Sequence, residues 1–340
     1  MEKDLKSLLI KDLQDIVVAC GGKKFHAGYV FDFIHQKDAE DFEQITPIAK
    51  SLREKLAEEG WVIGSLKPVE SYKDDDGTAK YVFETFDGYH IETVLLTDEG
   101  RHTLCISSQV GCRMGCGFCA TAKLGFRRNL SASEILDQVY KVWQEAGKIN
   151  NVVYMGMGEP FDNYENVINS ARILNHPRGR NIGARHITIS TCGIPERIRD
   201  FTSVDEQFRL AVSLHSAVDQ ERSKIMPVNN KYPVKEVVAA VRTYNHVTQR
   251  RVTFEYCMIK DLNDSVHDAV ELSRLLKGIK CNINLIEYNE HPGSDFEASS
   301  HKTILEFQKS LTDKGFETHT RFKRGKNIKA ACGQLGLLGS

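Results

Sequence analysis

The chain has 340 residues, too many for one small core and suited to one large domain with a smaller one beside it. With 45 Lys and Arg against 46 Asp and Glu the net charge is −1, so any contact with nucleic acid must rest on local patches. A hydrophobic share of 41% without a membrane-length apolar run, and a start (MEKDLKSLL) that lacks a signal peptide's order, point to a soluble, cytoplasmic protein with no membrane partner.

Residues 1–60 read as a small helical domain. Leu8, Leu9, Leu13, Ile16 and Val17 recur at helical spacing and stop at Gly21-Gly22. A second helix is expected over His26 to Gln36, and a third from Thr46-Pro47 to Gly60. Lys23, Lys24, His26 and Lys37 read first as solvated surface. Residues 61–97 change character. Tyr81 to Phe86, the turn Asp87-Gly88 and Tyr89 to Leu96 predict a β-hairpin. Within it, alternation puts Glu92 opposite Ile91, as an exposed strand carboxylate.

From residue 98 onward strands and helices alternate. Strands are expected at Leu104–Ser107, Val152–Met155, His186–Ile189, Phe208–Leu214, Val252–Ile259 and Cys281–Ile286. Helices follow at Ala132–Glu145, Tyr164–Leu174, from Pro195, Val234–Tyr244, Val266–Leu276 and Lys302–Leu311. Six strand–helix units predict an α/β fold, a partial (β/α)6 barrel whose site lies at the C-terminal strand ends. No internal repeat or low-complexity segment accompanies this alternation.

The loop after the first of these strands carries Cys112, Cys116 and Cys119 at CxxxCxxC spacing. Nine cysteines with three clustered argue for reduced thiols rather than a disulfide framework. Thiolates suit iron–sulfur clusters or zinc. A [4Fe–4S] cluster takes four cysteines, so three would leave one iron open to a small chelate such as the amino and carboxylate groups of S-adenosylmethionine (SAM). An electron could then break the sulfonium bond. The spacing, with Phe118 before the last cysteine, resembles the signature of radical SAM enzymes. The other reading is a zinc-stabilised RNA-binding module, with Cys105 or a histidine as fourth ligand. Zinc sites usually pair two short ligand units, and no second unit is visible.

Other strand ends carry polar groups: Gly158 and Glu159 in MGMGEP, Ser190 in STCG, Ser213, Leu214 and His215 in SLHS, and Asn289. Each alone reads as a strand-end cap; together on one rim they read as a ligand site, with Glu159 suited to an ammonium group. Cys332 lies in the small-residue loop AACGQL, open enough for a reactive thiol; from context alone Cys332 and Cys105 are equally well inert. Cys20, Cys192, Cys257 and Cys281 read as inert core residues. Lys123, Arg127 and Arg128 follow the cysteine loop. Arg321, Lys323, Arg324, Lys326 and Lys329 precede Cys332, with His319 and Phe322 interleaved, and read as an RNA phosphate contact.

Cys105-x6-Cys112-x3-Cys116-x2-Cys119, MGMGEP, STCG, SLHS and AACGQL together resemble the RlmN/Cfr family of radical SAM RNA methyltransferases, nearly end to end. The resemblance implies a [4Fe–4S] cluster on Cys112, Cys116 and Cys119 and two SAM molecules per turnover. One SAM methylates Cys332. The other yields the 5'-deoxyadenosyl radical that takes a hydrogen from the S-methyl group, and the carbon radical adds to an adenine. It further implies that Cys105 aids product release by pairing with Cys332, and that Glu92 accepts a proton near the adenine. Gly158, Glu159, Ser190, Ser213 to His215 and Asn289 would contact SAM. The family fold is an incomplete six-unit barrel with an N-terminal helical domain. One branch methylates C2 of adenosine 2503 in 23S rRNA and adenosine 37 in tRNAs; the other methylates C8 of the same rRNA adenosine and confers antibiotic resistance. Pro160 after MGMGE resembles the C2 branch. An electron donor such as flavodoxin and a monomeric state come with the likeness. One departure stands out: the family commonly has acidic residues just before AACGQL, where this chain has Lys326, Asn327 and Lys329, which bears on substrate docking.

Overall fold

A computed structural model describes residues 3–321 and 323–336; Phe322 lies outside the described residues. Three helices come first: α1 (Ile10–Ala19), α2 (His26–His35) and α3 (Lys50–Glu58). They begin later than the sequence pattern implies at α1 and α3, because Leu5–Ser7 forms a separate 3₁₀ turn and Thr46-Pro47 precedes the third helix. Their apolar faces bury Leu13, Val17, Val30, Phe31, Leu52 and Leu56.

Four antiparallel strands follow: β1 (Lys67–Lys73), β2 (Ala79–Glu84), β3 (His90–Asp98) and β4 (Arg101–Cys105). A two-stranded ribbon of β5 (Gln109–Gly111) and β6 (Phe126–Asn129) brackets the cysteine loop and α4 (Ala120–Lys123). The alternating part then runs α5 (Ala132–Ala146), β7 (Asn151–Tyr154), α6 (Tyr164–Asn175), β8 (Ile187–Thr191), α7 (Pro195–Asp200), β9 (Arg209–Ser213), α8 (Asp219–Ile225) and α9 (Val234–Thr248). It ends with β10 (Val252–Met258), α10 (Val266–Leu276), β11 (Cys281–Glu287), α11 (His301–Thr312) and β12 (Thr318–Arg321). Among the described residues no helix is long and apolar enough to cross a membrane.

All these strands except the ribbon join one ten-stranded sheet, in the order β1-β2-β3-β4-β7-β8-β9-β10-β11-β12. From β4 to β12 every neighbouring pair is parallel. The six expected strand–helix units are present. The expected hairpin is β2 and β3, and it extends the sheet: β3 pairs with β4, and β2 and β1 follow. The sequence reading also missed β1 and β12. Both are polar edge strands: β1 is exposed along nearly its whole length and shows no burial alternation, and β12 has only four residues.

The sheet's two ends are joined by the segment after β12. The acidic turn at residues 74–76 receives it: Gly325 N donates to Asp76 (2.8 Å), and Asn327 donates to Asp74 from N (3.0 Å) and Nδ2 (2.8 Å). Arg324 pairs with Asp98 (2.9 Å). Asn327, one of the three residues that depart from the family's acidic pattern, thus meets a carboxylate in this chain. The same lashing brings the Cys332 loop across the open side of the sheet.

The helical N-terminal part is held to the rest by charge as well as apolar contact. Buried Lys6 pairs with buried Asp137 of α5 (2.5 Å), whose other oxygen accepts from Leu66 N (2.6 Å).

Candidate active site

The cysteine loop owes its shape to the ribbon beneath it. Gly111 has φ +73°, and a Cβ there would lie 1.7 Å from the Gly125 carbonyl oxygen, so only glycine fits. Cys112 N donates to that same carbonyl (3.1 Å), and Gly117 N donates to Ile225 O (2.9 Å). The loop is therefore anchored at both flanks. Cys112, Cys116 and Cys119 all line one cavity at the C-terminal ends of the strands.

Cys332 lines the same cavity, more than two hundred residues later in the chain. Its loop is fastened directly to the cysteine loop: Ala120 N donates to Gly333 O (2.7 Å), and Thr121 Oγ1 to Leu335 O (2.8 Å). Asn289 Nδ2 holds the Cys332 carbonyl (3.0 Å). Cys332 is exposed, but onto the cavity, and the protein around it still pushes its thiol above the ordinary range.

Register puts further groups on the same sheet face. Lys80 and Cys105 both pair with Val94, and Glu92 lies two residues from Val94, so all three project to one side. Cys105 is pushed up to about 12, by burial first and then by the neighbouring Cys332. Glu92 is not on the surface: it is 1% exposed and pairs with buried Lys80 at 3.3 Å. The exposed reading assumed a strand with one wet face. β3 lies inside the sheet with both faces covered: α5 packs on the Thr93 side, where Thr93 Oγ1 donates to Gln138 (2.7 Å), and the segment before Cys332 lies on the Glu92 side, where the Lys329 carbonyl meets Lys80 (3.4 Å).

The MGMGEP turn is tied into this network. Ser107 Oγ donates to Glu92 O (2.6 Å) and accepts from Met157 N (2.9 Å). Gln109 Oε1 accepts from Glu159 N (2.9 Å). Gly158 has φ +99°, and a Cβ would sit 2.5 Å from the Gln109 Cβ. Gly158→Ala should therefore cost about 2 kcal/mol, through strain and displaced Gln109. The check is a shift in urea midpoint together with weaker SAM binding by the iron-loaded protein.

Glu159 is buried in the cavity lining, with Oε1 accepting from Phe161 N (3.0 Å) and Oε2 from Cys192 N (2.7 Å). Burial raises its pKa and these donors oppose the rise. Each oxygen keeps a lone pair for a ligand ammonium. Ser190, Ser213 and His215 also line the cavity. Leu214 and Asn289 do not: Leu214 is core, and Asn289 acts through the Cys332 carbonyl.

His215 adopts φ +57° and packs edge-on against Phe118 (4.6 Å between centroids). Its Nδ1 accepts from Cys257 N (2.9 Å), so the proton of the neutral ring is on Nε2. Burial, then Arg222, lowers its pKa to about 3. A lowered histidine stabilises the fold above its unfolded pKa of about 6.5, and that stability is lost as pH falls. At pH 5 the loss from His215 is about 2 kcal/mol. Urea unfolding at pH 7 and pH 5 should show it, with a smaller pH difference in His215→Gln.

Several neighbours escaped the sequence reading. Cys192 and Cys257, read as inert core, are buried but line the cavity, as do Glu255 and Tyr288; Arg321, read only as part of the basic run, lines it too. Fully buried Arg222 ties the strand ends together through Cys192 O (2.6 Å), Leu214 O (3.0 Å) and Asn229 Oδ1 (2.8 Å). The signal was a charged residue inside an apolar strand, Glu255 in VTFEYCMI. The expected phosphate patch is reduced by internal pairing. Arg128 is held by Asp87 and Glu134, Lys323 by Glu287 (3.1 Å), and Arg324 by Asp98, while Lys326 and Lys329 stay exposed. A larger cleft, about 650 Å³, opens at the other end of β10 and β11 among Arg251, Arg274, Lys277, Lys280 and Lys314. It holds one thiol, Cys281, and no carboxylate, so it lacks the groups for this chemistry.

Among the described residues no three His, Cys, Asp or Glu side chains close around a single point, as zinc ligands do. The three thiols instead share a cavity, with no fourth cysteine in their loop. That donor set suits a cluster with one iron left over for another ligand.

Sequence models of two families match the chain: "Ribosomal RNA large subunit methyltransferase N-terminal domain" over residues 3–62 and "Radical SAM superfamily" over residues 106–273. A probable dual-specificity RNA methyltransferase RlmN from Bacillus mycoides (strain KBAB4) is 42% identical over 333 residues, 97% of this chain and 92% of that protein. One of the same description from Bacillus cereus (strain ATCC 14579) matches equally. The crystal structure of a radical SAM methyltransferase from Sphaerobacter thermophilus superposes with a TM-score of 0.92 at 43% identity, covering 98% of this chain and 99% of that one.

Proposed function

The chain belongs to the RlmN-type radical SAM methyltransferases, which makes it an RNA-modifying enzyme, and from there we propose its reaction: methylation of C2 of adenosine 2503 in 23S rRNA, and of adenosine 37 in tRNAs, through a methyl group staged on Cys332. The observation that carries this reading is the shared cavity of Cys332 and the three-cysteine loop, locked by the Ala120–Gly333 hydrogen bond.

A [4Fe–4S] cluster on Cys112, Cys116 and Cys119, when bound, would supply the electron that cleaves SAM. Glu159 accepts the SAM ammonium group, with Gly158, Ser190, Ser213 and the Nε2–H of His215 around the rest. Leu214 and Asn289 act from behind, through backbone placement and the Cys332 carbonyl. An adenine C–H carbon is electrophilic and cannot attack the methyl of SAM, so the sulfur of Cys332 takes it first, and two SAM molecules are used per turnover. Glu92 accepts the proton lost from the adenine, and Lys80 balances its charge. Cys105 then attacks the Cys332 sulfur: the S–S bond forms as the bond from that sulfur to the methylene on adenine breaks, its pair stays on the carbon, and the carbon takes a proton to release the product; both cysteines are free thiols in this structure. Pro160 after MGMGE supports C2 over C8.

Residues 1–60 serve as an RNA-binding accessory domain, residues 61–97 as the hairpin that brings Glu92 to the site, and residues 98–340 as the catalytic core. A monomer working in the cytoplasm with a flavodoxin-type electron donor completes the reading by family analogy.

Nucleoside analysis of 23S rRNA and tRNA from a strain lacking the gene tests it. The expected result is loss of 2-methyladenosine from both, restored by the gene. Loss of 8-methyladenosine instead would reassign the position, and unchanged RNA would overturn the reading.

A further inference from the structure

Glu255 has no role in the reaction described so far. It sits on β10, level with Ser213 of β9 and Asn284 of β11, and its carboxylate lines the cavity. A carboxylate that is 3% exposed in the middle of a parallel sheet is costly unless paired or used. Its Oε1 accepts from Asn284 Nδ2 (2.9 Å), and Arg321 stands 3.8 Å away, beyond hydrogen-bond reach. Its Oε2 is buried and has no hydrogen-bond partner. The cavity that holds the Cys332 thiol therefore also holds a bare acceptor oxygen.

We propose that Glu255 is the proton acceptor for Cys332 when that sulfur takes its methyl group, an inference that rests on the methyl-carrier reading above. The S–H proton passes to Oε2 of Glu255. The sulfur's electron pair forms the new bond to the methyl carbon, and the old C–S⁺ bond breaks with its pair left on S-adenosylhomocysteine. The other two carboxylates near the site are committed: Glu159 to two backbone N–H groups, and Glu92 to Lys80.

Charge supports the assignment. Thiol plus carboxylate, or thiolate plus carboxylic acid, carries one negative charge in total. The Arg321 guanidinium acts on both partners, so the transfer creates no new buried charge. Burial disfavours the charged form of both groups, raising the carboxyl and the thiol alike. The other groups facing the pair are Asn284 from β11, Ser213 and neutral His215 from β9 and its end, Cys257 from β10 itself, and the Cys105 thiol from β4, which Cys332 helps to push up. Cys119 adds a weaker influence on Cys332.

The test uses iron-loaded protein with saturating SAM, without reductant or RNA, and counts S-methylated Cys332 by peptide mass spectrometry in a single turnover. Glu255→Gln keeps the acceptor for Asn284. It should methylate about 100-fold more slowly near neutral pH, then gain about tenfold per pH unit until it meets the wild-type rate, as solvent replaces the lost base. Iron content and melting temperature should match the wild type. Glu255→Asp, which keeps a carboxylate, should keep the wild-type pH profile; if Glu255→Gln fails to load iron, that profile decides, and a tenfold rise per pH unit in Glu255→Asp overturns the proposal. A wild-type rate in Glu255→Gln, a deficit equal at every pH, or one removed by more SAM would each overturn it. A wild-type protein whose Cys332 never gains a methyl removes the methyl-carrier reading and this inference with it, whereas a pH-independent deficit strikes only Glu255.

Discussion

Cys332→Ala is expected to remove RNA methylation to the limit of detection while leaving the fold and iron loading unchanged. The thiol is exposed on the cavity, and what holds its loop is backbone: the Cys332 carbonyl on Asn289, Gly333 O on Ala120 N, and Leu335 O on Thr121. Truncating an exposed side chain with no structural hydrogen bond costs within about 0.5 kcal/mol. The chemical cost is total, because a nucleophilic carrier that forms a covalent intermediate has no substitute in alanine. Cys105 is half-buried and Cys257 buried, burial pushes both thiols up, and both lie on strands, β4 and β10, rather than on a loop. Product nucleoside assay and thermal melting of the variant check the two halves of this expectation separately.

Lys80→Met should be the most destabilising of the single changes considered, by about 3–5 kcal/mol, because it leaves a carboxylate buried without its cation. Lys80 and Glu92 are both almost fully buried, diagonal neighbours on β2 and β3. Burial lowers the pKa of Lys80, and Glu92 opposes that fall. Lys80 Nζ also reaches the Lys329 carbonyl (3.4 Å), three residues before Cys332. One ammonium therefore links the base proposed for adenine with the loop that carries the methyl. Replacing both partners by apolar residues should recover much of the stability without recovering activity. Urea unfolding of the single and double variants measures the coupling.

The chemistry of the centre was legible because it is local in sequence. Three cysteines within eight residues, and the turns MGMGEP and SLHS at strand ends, declare themselves by spacing. The six strand–helix units were legible through their apolar periods. What escaped was set by pairing across the sheet. Glu92 alternates like a surface residue, and only the joining of β3 to β4, with the segment before Cys332 laid over that face, buries it. The basic run before Cys332 reads as a phosphate contact until Asp98 and Glu287 are found opposite Arg324 and Lys323. Cys192 and Cys257 look like core in strand context, and they are, but at the strand ends where the core meets the cavity.

The central claim is that Cys332 carries the methyl group in the cavity it shares with the cluster-binding cysteines. The most direct measurement is the mass of the Cys332 peptide from iron-loaded protein incubated with methyl-deuterated SAM. A deuterated methyl on Cys332, absent from the other cysteines and later recovered on adenine, is the predicted result. An unmodified Cys332 in protein that retains iron, sulfide and bound SAM would contradict the account.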